Sequence, residues 1–383
     1  MTARSVFRLG ITTVAAAALA VAFVDEGEAR ANPMDFAPER LVKDCQPLAA
    51  GGVSIPCGEA RVTGTTVTGN YFRPDNDAWA KLMSQYAAAL APNSMRPART
   101  TGYGGFEMSL FGQFTTISKN ESFIEKGTEG PTSDAKKYSA RNGSADSTLQ
   151  IYGVTGRKGL PYGFELQGTI GYVANTEMVV LGGGVRLSPF EGFRKYFDIS
   201  FGGYVHTLTG TAKVKLTVPA FDIAVSRPFV IANAVILQPY IAWQILWINA
   251  DSGVIDTTPG TDGLSKCNSR PATQPERDAG DTGEFHCQSR NGSQLTDAAS
   301  GSPEALGKLD LNNNVVFQNM RAYRRQRAVF GLAWRWENLH VVLPHVMTDL
   351  IAPEDGAPDE AGKKRLAGLA KQWTFGATVG LAF

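Results

Sequence analysis

The end of the chain, residues 371–383, constrains the fold more than any other stretch. Every second position is apolar, and the positions between are small or polar; the apolar set is Trp373, Phe375, Ala377, Val379, Leu381 and Phe383. An alternation of period two gives an extended strand one apolar face and one polar face. An apolar band of about ten residues is long enough for a tilted strand to cross a bilayer. The pattern therefore predicts a membrane-spanning β-strand at the C-terminus.

This stretch resembles the closing strand of Gram-negative bacterial outer-membrane β-barrel proteins. In that class a C-terminal Phe after alternating apolar positions is the assembly signal, and Phe383 occupies that place. The resemblance implies an all-β fold, a transmembrane antiparallel β-barrel in the outer membrane. It also implies contact with outer-membrane lipid and with the barrel assembly machinery during biogenesis. It points to no specific family within the class.

The first 31 residues have the features of a secretory signal peptide. Arg4 and Arg8 precede an apolar stretch, and Ala29 and Ala31 form an A-x-A site, so we expect cleavage near Ala31. A single membrane anchor is the alternative for this segment. No later apolar run reaches the roughly 18 residues that a helical span needs, which favours export.

The same alternation recurs along the chain after residue 101. It predicts a barrel over 102–383 with about ten strands, at 106–114, 148–152, 164–172, 179–187, 197–206, 213–218, 237–247, 327–337, 339–343 and 371–383. Short connections alternate with long polar ones, the arrangement of periplasmic turns and extracellular loops. We therefore expect long extracellular loops at 119–146, 251–325 and 348–370. Residues 312–323 leave an alternative open: a strand pair above the membrane, or a count of twelve.

Residues 32–101 lack the barrel pattern and are expected to form a small periplasmic segment. Within it, 77–91 shows the apolar spacing of one helical face, carried by Trp79, Leu82, Met83, Tyr86 and Leu90. Two placements are open for this helix. It can pack against the periplasmic end of the barrel, or it can enter the lumen as a plug.

The four cysteines lie in two local pairs. In an exported chain an even count indicates disulfides, and local pairing is the simplest connectivity. We expect bonds joining Cys45 to Cys57 and Cys267 to Cys287. Their spacings do not match a redox centre or a zinc knuckle, so we interpret them as structural.

Charged residues at inward positions predict a polarised lumen. Four basic residues are expected at an extracellular mouth that could bind a small anion: Lys213, Lys215, Arg325 and Arg327. An acid–base network is expected at the periplasmic floor, formed by Glu165, Arg186, Asp198, Arg335 and Glu337. The alternative is that the floor only satisfies charges inside a closed core.

Catalytic and metal-binding motifs are weak in this sequence. None of the four histidines, His206, His286, His340 and His345, lies in a motif that ties it to a nucleophile or a metal. We expect no enzyme activity, no cofactor and no metal. The formal charge of +1 gives no reason to expect nucleic-acid binding.

Ten strands limit the functions that remain. A barrel of about eight strands already fills with side chains, and open porins use about sixteen or more. The sequence therefore favours a narrow, porin-like channel or small-solute transporter with a basic extracellular mouth. The alternative is a structural or surface-presenting barrel whose loops bind an extracellular partner, and an outer-membrane enzyme is the third class.

Overall fold

The computed structural model describes most of the chain that follows the predicted signal peptide. The described residues are 32–43, 61–63, 66–68, 73–92, 96–130, 142–192, 197–231, 235–256, 268–271, 285–288, 314–336 and 339–383. The predicted signal peptide, 1–31, lies outside them.

Ten antiparallel strands form a closed barrel, as the sequence predicts. They are β1 Phe106–Thr116, β2 Thr148–Gly159, β3 Phe164–Val173, β4 Val179–Leu187, β5 Asp198–Thr209, β6 Val214–Ser226, β7 Val235–Ser252, β8 Met320–Trp336, β9 Leu339–Asp349 and β10 Trp373–Ala382. Each strand pairs with its neighbours in sequence, and β10 pairs with β1 to close the ring. One extra short strand, Phe229–Ile231, pairs with the start of β7.

The connections divide the barrel into two ends. We call the end from which 117–147, 253–319 and 350–372 emerge the long-loop end, and the opposite end, where β1 begins, the short-turn end. The long connections carry helices α2, Ser122–Gly127, and α3, Glu360–Leu366. Residues 312–323 do not add barrel strands: Met320 begins β8, and Asn314–Val315 pairs with Ile255–Asp256 outside the barrel sheet.

The remaining short elements lie outside the barrel ring. Val42–Lys43 pairs with Arg73–Pro74, Arg61–Thr63 with Thr66–Thr68, and Asn268–Pro271 with Phe285–Gln288. Single turns of 3-10 helix occur at Pro38–Arg40, Pro161–Gly163 and Pro353–Gly356.

The outer face of the barrel is apolar and exposed. Large side chains project from it on most strands, including Phe106, Leu110, Phe114, Leu166, Ile170, Val205, Ile241, Phe330, Trp334, Phe375 and Val379. Such a surface is unfavourable in water over so large an area and is typical of lipid-facing strands. The chain is therefore a β-barrel membrane protein. No helix in the described part of the chain is long and apolar enough to span a membrane.

Helix α1, Asn76–Leu90, lies inside the barrel, which decides between the two placements open from the sequence. Asp75 caps its N-terminus by accepting hydrogen bonds from the backbone N–H groups of Asp77 and Ala78. Trp79, Leu82, Met83 and Tyr86 are fully buried, in one apolar cluster with inward side chains of β2, β6 and β7. Strand side chains around the ring contact its backbone, as described below. Helix α1 therefore occupies the lumen.

An apolar helix in the lumen reverses the expected orientation of β6. Val214, Leu216 and Val218 point inward and are about 1% exposed, whereas Lys215 is exposed on the outer face. The sequence prediction placed Lys213 and Lys215 inward, because it assigned the apolar row of every strand to lipid. Here that row packs against α1 instead. The inward placement of Lys215 was wrong.

The periplasmic assignment of 32–101 requires the whole segment before the barrel to stay at one end. In the structure, the described parts of this segment lie at both ends. Residues 32–43 lie at the long-loop end, where Met34 N–H donates to Asn175 and Ala37 N–H donates to Gly127. Residues 96–101 lie at the short-turn end, where β1 starts. Helix α1 connects the two ends. The chain therefore crosses the lumen once before it forms the barrel wall.

Candidate functional site

The carbonyl end of α1 is held by side chains from around the barrel wall. At this end the Arg327 guanidinium donates to Ala88 O at 2.8 Å, and one turn earlier the Arg325 guanidinium donates to Ser84 O at 2.9 Å. Further contacts come from Gln113 to Ala89 O, 2.9 Å, His206 Nδ1 to Leu90 O, 3.0 Å, and Gln244 to Pro92 O, 2.9 Å. The last carbonyls of a helix lack partners within the helix, and cations complement its negative dipole end. The wall therefore caps the helix.

This cap replaces the anion-binding mouth that the sequence predicted. Arg325 and Arg327 point inward as expected, but both are at most 2% exposed. Arg325 also forms an ion pair with Asp349, and Arg327 donates to Gln244. Because α1 and these side chains engage both guanidinium groups, they do not face an open mouth.

Lys213 belongs to a contact that attaches the N-terminal segment to the long-loop end. Its ammonium group lies 3.2 Å from Glu39 and 3.4 Å from Glu129. Nearby, Asp35 accepts a hydrogen bond from the backbone N–H of Glu177. Burial raises the pKa of Asp35 to about 6, and the charges of Glu129 and Glu177 act in the same direction. The predicted basic residue therefore serves this attachment.

The floor network exists, but with different pairings from those expected. Glu165 forms its ion pair with Arg157, 2.9 Å away, and Arg157 also lies 3.8 Å from Glu107. Arg186 donates to the Tyr204 hydroxyl and to Pro97 O, each at 3.0 Å. Asp198 lies 3.6 Å from Arg99. Glu165 and Asp198 thus have Arg157 and Arg99 as ion-pair partners, whereas the expected arrangement placed Arg186 between them.

Arg96, Arg99 and Arg157 are charged residues at this end that the sequence did not predict. The predicted second strand stopped at residue 152, because three glycines interrupt the apolar pattern after that point, whereas β2 continues to Gly159. Arg96 and Arg99 lie in a segment without any periodicity. Of the predicted floor residues, Arg335 is exposed, and Glu337 lies outside the described residues.

A strap formed by residues 96–100 crosses the short-turn end. Arg96 donates to Glu107 and to Ser109, and Ala98 N–H donates to the Ser226 hydroxyl at 2.9 Å. Thr100 N–H donates to Glu191 at 2.8 Å. Together with the Arg186 contact to Pro97, these bonds join the strap to β1, β4, β6 and the β4–β5 turn. Helix α1 occupies the lumen, and the strap crosses its short-turn end.

The disulfide and histidine predictions are largely outside what the structure describes. Cys45, Cys57 and Cys267 fall outside the described residues, and Cys287 lies in a strand described only as backbone. The same holds for His286 and His340. His206 contacts α1, and His345 is fully buried. Within the described ranges, no group of three or more His, Cys, Asp or Glu side chains could hold a metal ion.

Comparisons with known proteins give structural likeness only. No protein-family model matches the sequence, and no curated protein matches it. The solved structure of Ail, the attachment invasion locus protein of Yersinia pestis, in complex with the heparin analogue sucrose octasulfate, is 10% identical. The match covers 73% of this chain and 99% of Ail, with a TM-score of 0.21.

Two further solved structures have similar values. LpxR from Salmonella typhimurium is 8% identical over 71% of this chain and 99% of its own, with a TM-score of 0.26. The transport unit of the autotransporter AIDA-I from Escherichia coli is 8% identical over 80% of this chain and 98% of its own, with a TM-score of 0.29. With scores this low, the membrane-barrel assignment rests on this chain's own strand pairing and apolar exterior.

Proposed function

We propose that this protein is a closed outer-membrane β-barrel of a Gram-negative bacterium that presents its long-loop end to an extracellular partner. The observation that carries the proposal is α1, which fills the lumen and is capped by the wall from β1, β5, β7 and β8. A narrow channel would require this helix to leave a site in which its core side chains are fully buried. Surface presentation requires no such movement. It is therefore better supported than transport through a channel.

The path of the N-terminal segment supports display. Val42–Lys43 pairs with Arg73–Pro74, so the chain between these short strands leaves and returns at one place. That place is close to α1's first turn, where Asp75 N–H donates to Leu41 O at 2.8 Å. The strand pair of Val42–Lys43 with Arg73–Pro74 is thereby attached to α1 at the long-loop end, on the same side as 350–372. In this role the protein acts as a scaffold and performs no catalysis.

Planar-bilayer recording on the full chain tests the sealed lumen. We expect no steady conductance from the wild type, because α1 and the strap occupy the interior. A variant lacking residues 76–92 should conduct, and Lys215→Gln, at an exposed position on the outer face, should behave as the wild type. Steady conductance by the wild-type protein would contradict display and favour the channel.

Cysteine labelling on intact cells tests which end is presented. Arg321→Cys is at the long-loop end and Tyr162→Cys is at the short-turn end, and both native side chains are exposed. A membrane-impermeant maleimide should label Arg321→Cys on intact cells, and Tyr162→Cys only after permeabilisation. The reverse pattern would refute the proposed orientation.

A further inference from the structure

The strap does not fill the whole short-turn end of the lumen. Its hydrogen bonds reach β1, β4, β6 and the β4–β5 turn, and a cavity of about 100 Å³ remains beside it. Gln238 of β7, Arg335 of β8 and the end of the chain, Ala382 and Phe383, also line this cavity. Since a water molecule occupies roughly 30 Å³, the space suits a small ion with a few waters.

Four guanidinium groups from three parts of the fold line this cavity: Arg96 and Arg99 from the strap, Arg157 from β2 and Arg335 from β8. Each guanidinium carries about five N–H donors and no acceptor, whereas Glu107 is the only acidic side chain among the described residues of the lining. The lining is therefore rich in donors and poor in acceptors.

Arg157 gives independent evidence that a hydrogen-bond acceptor is missing from this cavity. It is 2% exposed, and its Nε has no hydrogen-bond acceptor. Buried N–H groups are rarely left unsatisfied, because desolvation without a partner is costly. Arg99, at the open side, contacts Asp198 through Nε at a long 3.6 Å. The buried guanidinium of Arg157, which lines the cavity, is thus incompletely bonded by the protein.

The charges themselves are close to balance. Three of the arginines, Arg96, Arg99 and Arg157, face three carboxylates, those of Glu107, Glu165 and Asp198. Recognition at this place therefore depends on directed N–H donors more than on net charge. Guanidinium groups bind oxyanions through paired hydrogen bonds, and these are roughly twice as strong as neutral ones.

We propose that this cavity binds a soluble tetrahedral oxyanion, of which inorganic phosphate is the simplest. Four oxygens arranged tetrahedrally can accept from donors on the strap and on the opposite wall at once. The site is inside the barrel wall and is reached from the short-turn end, so the ligand is a dissolved ion or a small phosphorylated solute. This site is separate from the long-loop surface and does not depend on its function.

Calorimetric titration of the full chain with inorganic phosphate, in a phosphate-free uncharged detergent, tests the site. We expect saturable binding of one phosphate per chain, and competition by sulfate. The double variant Arg99→Gln with Arg335→Gln should bind at least tenfold more weakly. These two residues are chosen because both are at least partly exposed, so the barrel should still fold. Folding is checked by the heat-dependent shift in gel mobility.

Arg227→Gln is the matched control. Arg227 is an exposed arginine at the same end, and its guanidinium lies over the rings of Phe197 and Phe229, 5.7 and 5.6 Å from their centroids. This variant should bind phosphate as the wild type does. Absence of saturable binding, or equal affinity in the folded double variant, would overturn the proposal. Binding only to anionic phospholipid in nanodiscs, with none to free phosphate, would also overturn it.

Discussion

At the scale of single residues, Arg325 and Arg327 show how a correct inward position can have an unexpected role. Both were expected to attract anions at an open mouth. Both instead bind carbonyl groups of a buried helix, Arg327 at its end and Arg325 one turn earlier, and Arg325 pairs with Asp349, which is 5% exposed. A buried guanidinium requires such partners, since an unpaired charge in a low-dielectric interior is strongly unfavourable.

Arg325→Ala should lower the free energy of unfolding by about 3–5 kcal/mol, because it leaves the Asp349 carboxylate buried without its partner. The double variant Arg325→Ala with Asp349→Ala should lose less free energy of unfolding than Arg325→Ala alone. Urea unfolding in lipid vesicles, followed by tryptophan fluorescence, measures both. Lys215→Ala should change the value by no more than about 0.5 kcal/mol. Equal losses in the single and double variants would show that the pair is not coupled.

A second residue-scale feature is the close packing of Tyr204 over strand glycines. Its ring lies against Gly184 of β4, where an added Cβ would overlap the ring and also meet the Gly203 carbonyl oxygen at 2.7 Å. Glycine permits this approach because it has no side chain. The same ring position allows the Tyr204 hydroxyl to accept from Arg186.

Gly184→Ala should therefore destabilise the barrel by about 1–3 kcal/mol, the usual range for overpacking. Gly168→Ala on β3 is the control, because nothing lies within 4 Å of the position its Cβ would take. That change should stay within about 0.5 kcal/mol. Both values come from the same urea experiment. If the two variants were equally stable, the ring would not be tightly packed there.

At the scale of elements, β6 and α1 depend on one another. The inward row Val214, Leu216 and Val218 belongs to the apolar cluster that includes Trp79 and Leu82. Burial of each large aliphatic side chain contributes roughly 1.5–3 kcal/mol. The helix is thus held by apolar packing as well as by hydrogen bonds.

Substitutions at adjacent positions of β6 test this orientation. Leu216→Lys should prevent normal folding, because it places an unpaired ammonium in an apolar cluster. Lys215→Leu should be tolerated, since residue 215 is exposed on the outer face. The heat-dependent gel shift of the membrane fraction reports folding of each variant. If Leu216→Lys folded and Lys215→Leu did not, residue 215 would face the lumen and residue 216 would face lipid.

The N-terminal segment should respond to pH through Asp35. Its pKa of about 6 lies above the ordinary 3.8 because of burial, so the folded state binds more protons between these values. Its stabilising contribution is therefore complete below about pH 4 and is lost as pH rises through 6. Asp35→Asn should be more stable than the wild type at pH 7 and equally stable at pH 4. Urea midpoints at the two pH values measure this, and identical wild-type and variant midpoints at pH 7 would disprove it.

At the scale of the whole molecule, the chain passes through its own barrel before building it. Residues 32–43 lie at the long-loop end, α1 occupies the lumen, and the strap crosses the short-turn end. The ring is then completed where β10 meets β1. Closure removes the exposed strand edges that an open sheet would leave. The final residue takes part in this closure through two backbone hydrogen bonds with Phe106.

Deletion of Phe383 should reduce the amount of folded protein in the outer membrane. The change removes both bonds at the end of the β1–β10 seam, Phe106 N–H to Phe383 O and Phe383 N–H to Phe106 O. It also removes the terminal aromatic of the expected assembly signal. Phe383→Tyr, which keeps the backbone bonds and the aromatic ring, is the control. Wild-type levels of folded protein after the deletion would show that this residue is dispensable.

The sequence by itself determined the strands and their apolar faces where lipid lies outside. Period-two alternation reflects the lipid on one side of a strand and the lumen on the other, and it is visible within each strand. The ten strands and their connections could therefore be predicted, and so could the inward positions of Arg325, Arg327, Glu165, Arg186 and Asp198. The helix was also predicted within one residue at each end, as 77–91 against Asn76–Leu90.

Only the tertiary structure decided what fills the lumen, and this reassigned the site. Alternation distinguishes two faces but does not say which apolar row meets lipid and which meets a buried helix, so Lys215 was placed on the wrong side. The partners of Arg96, Arg99 and Arg157 come from elements distant in sequence, and no local pattern encodes such contacts. The fold class is a property of local periodicity, whereas the sealed interior and its arginine-lined cavity follow from the path of residues 32–101 across the barrel.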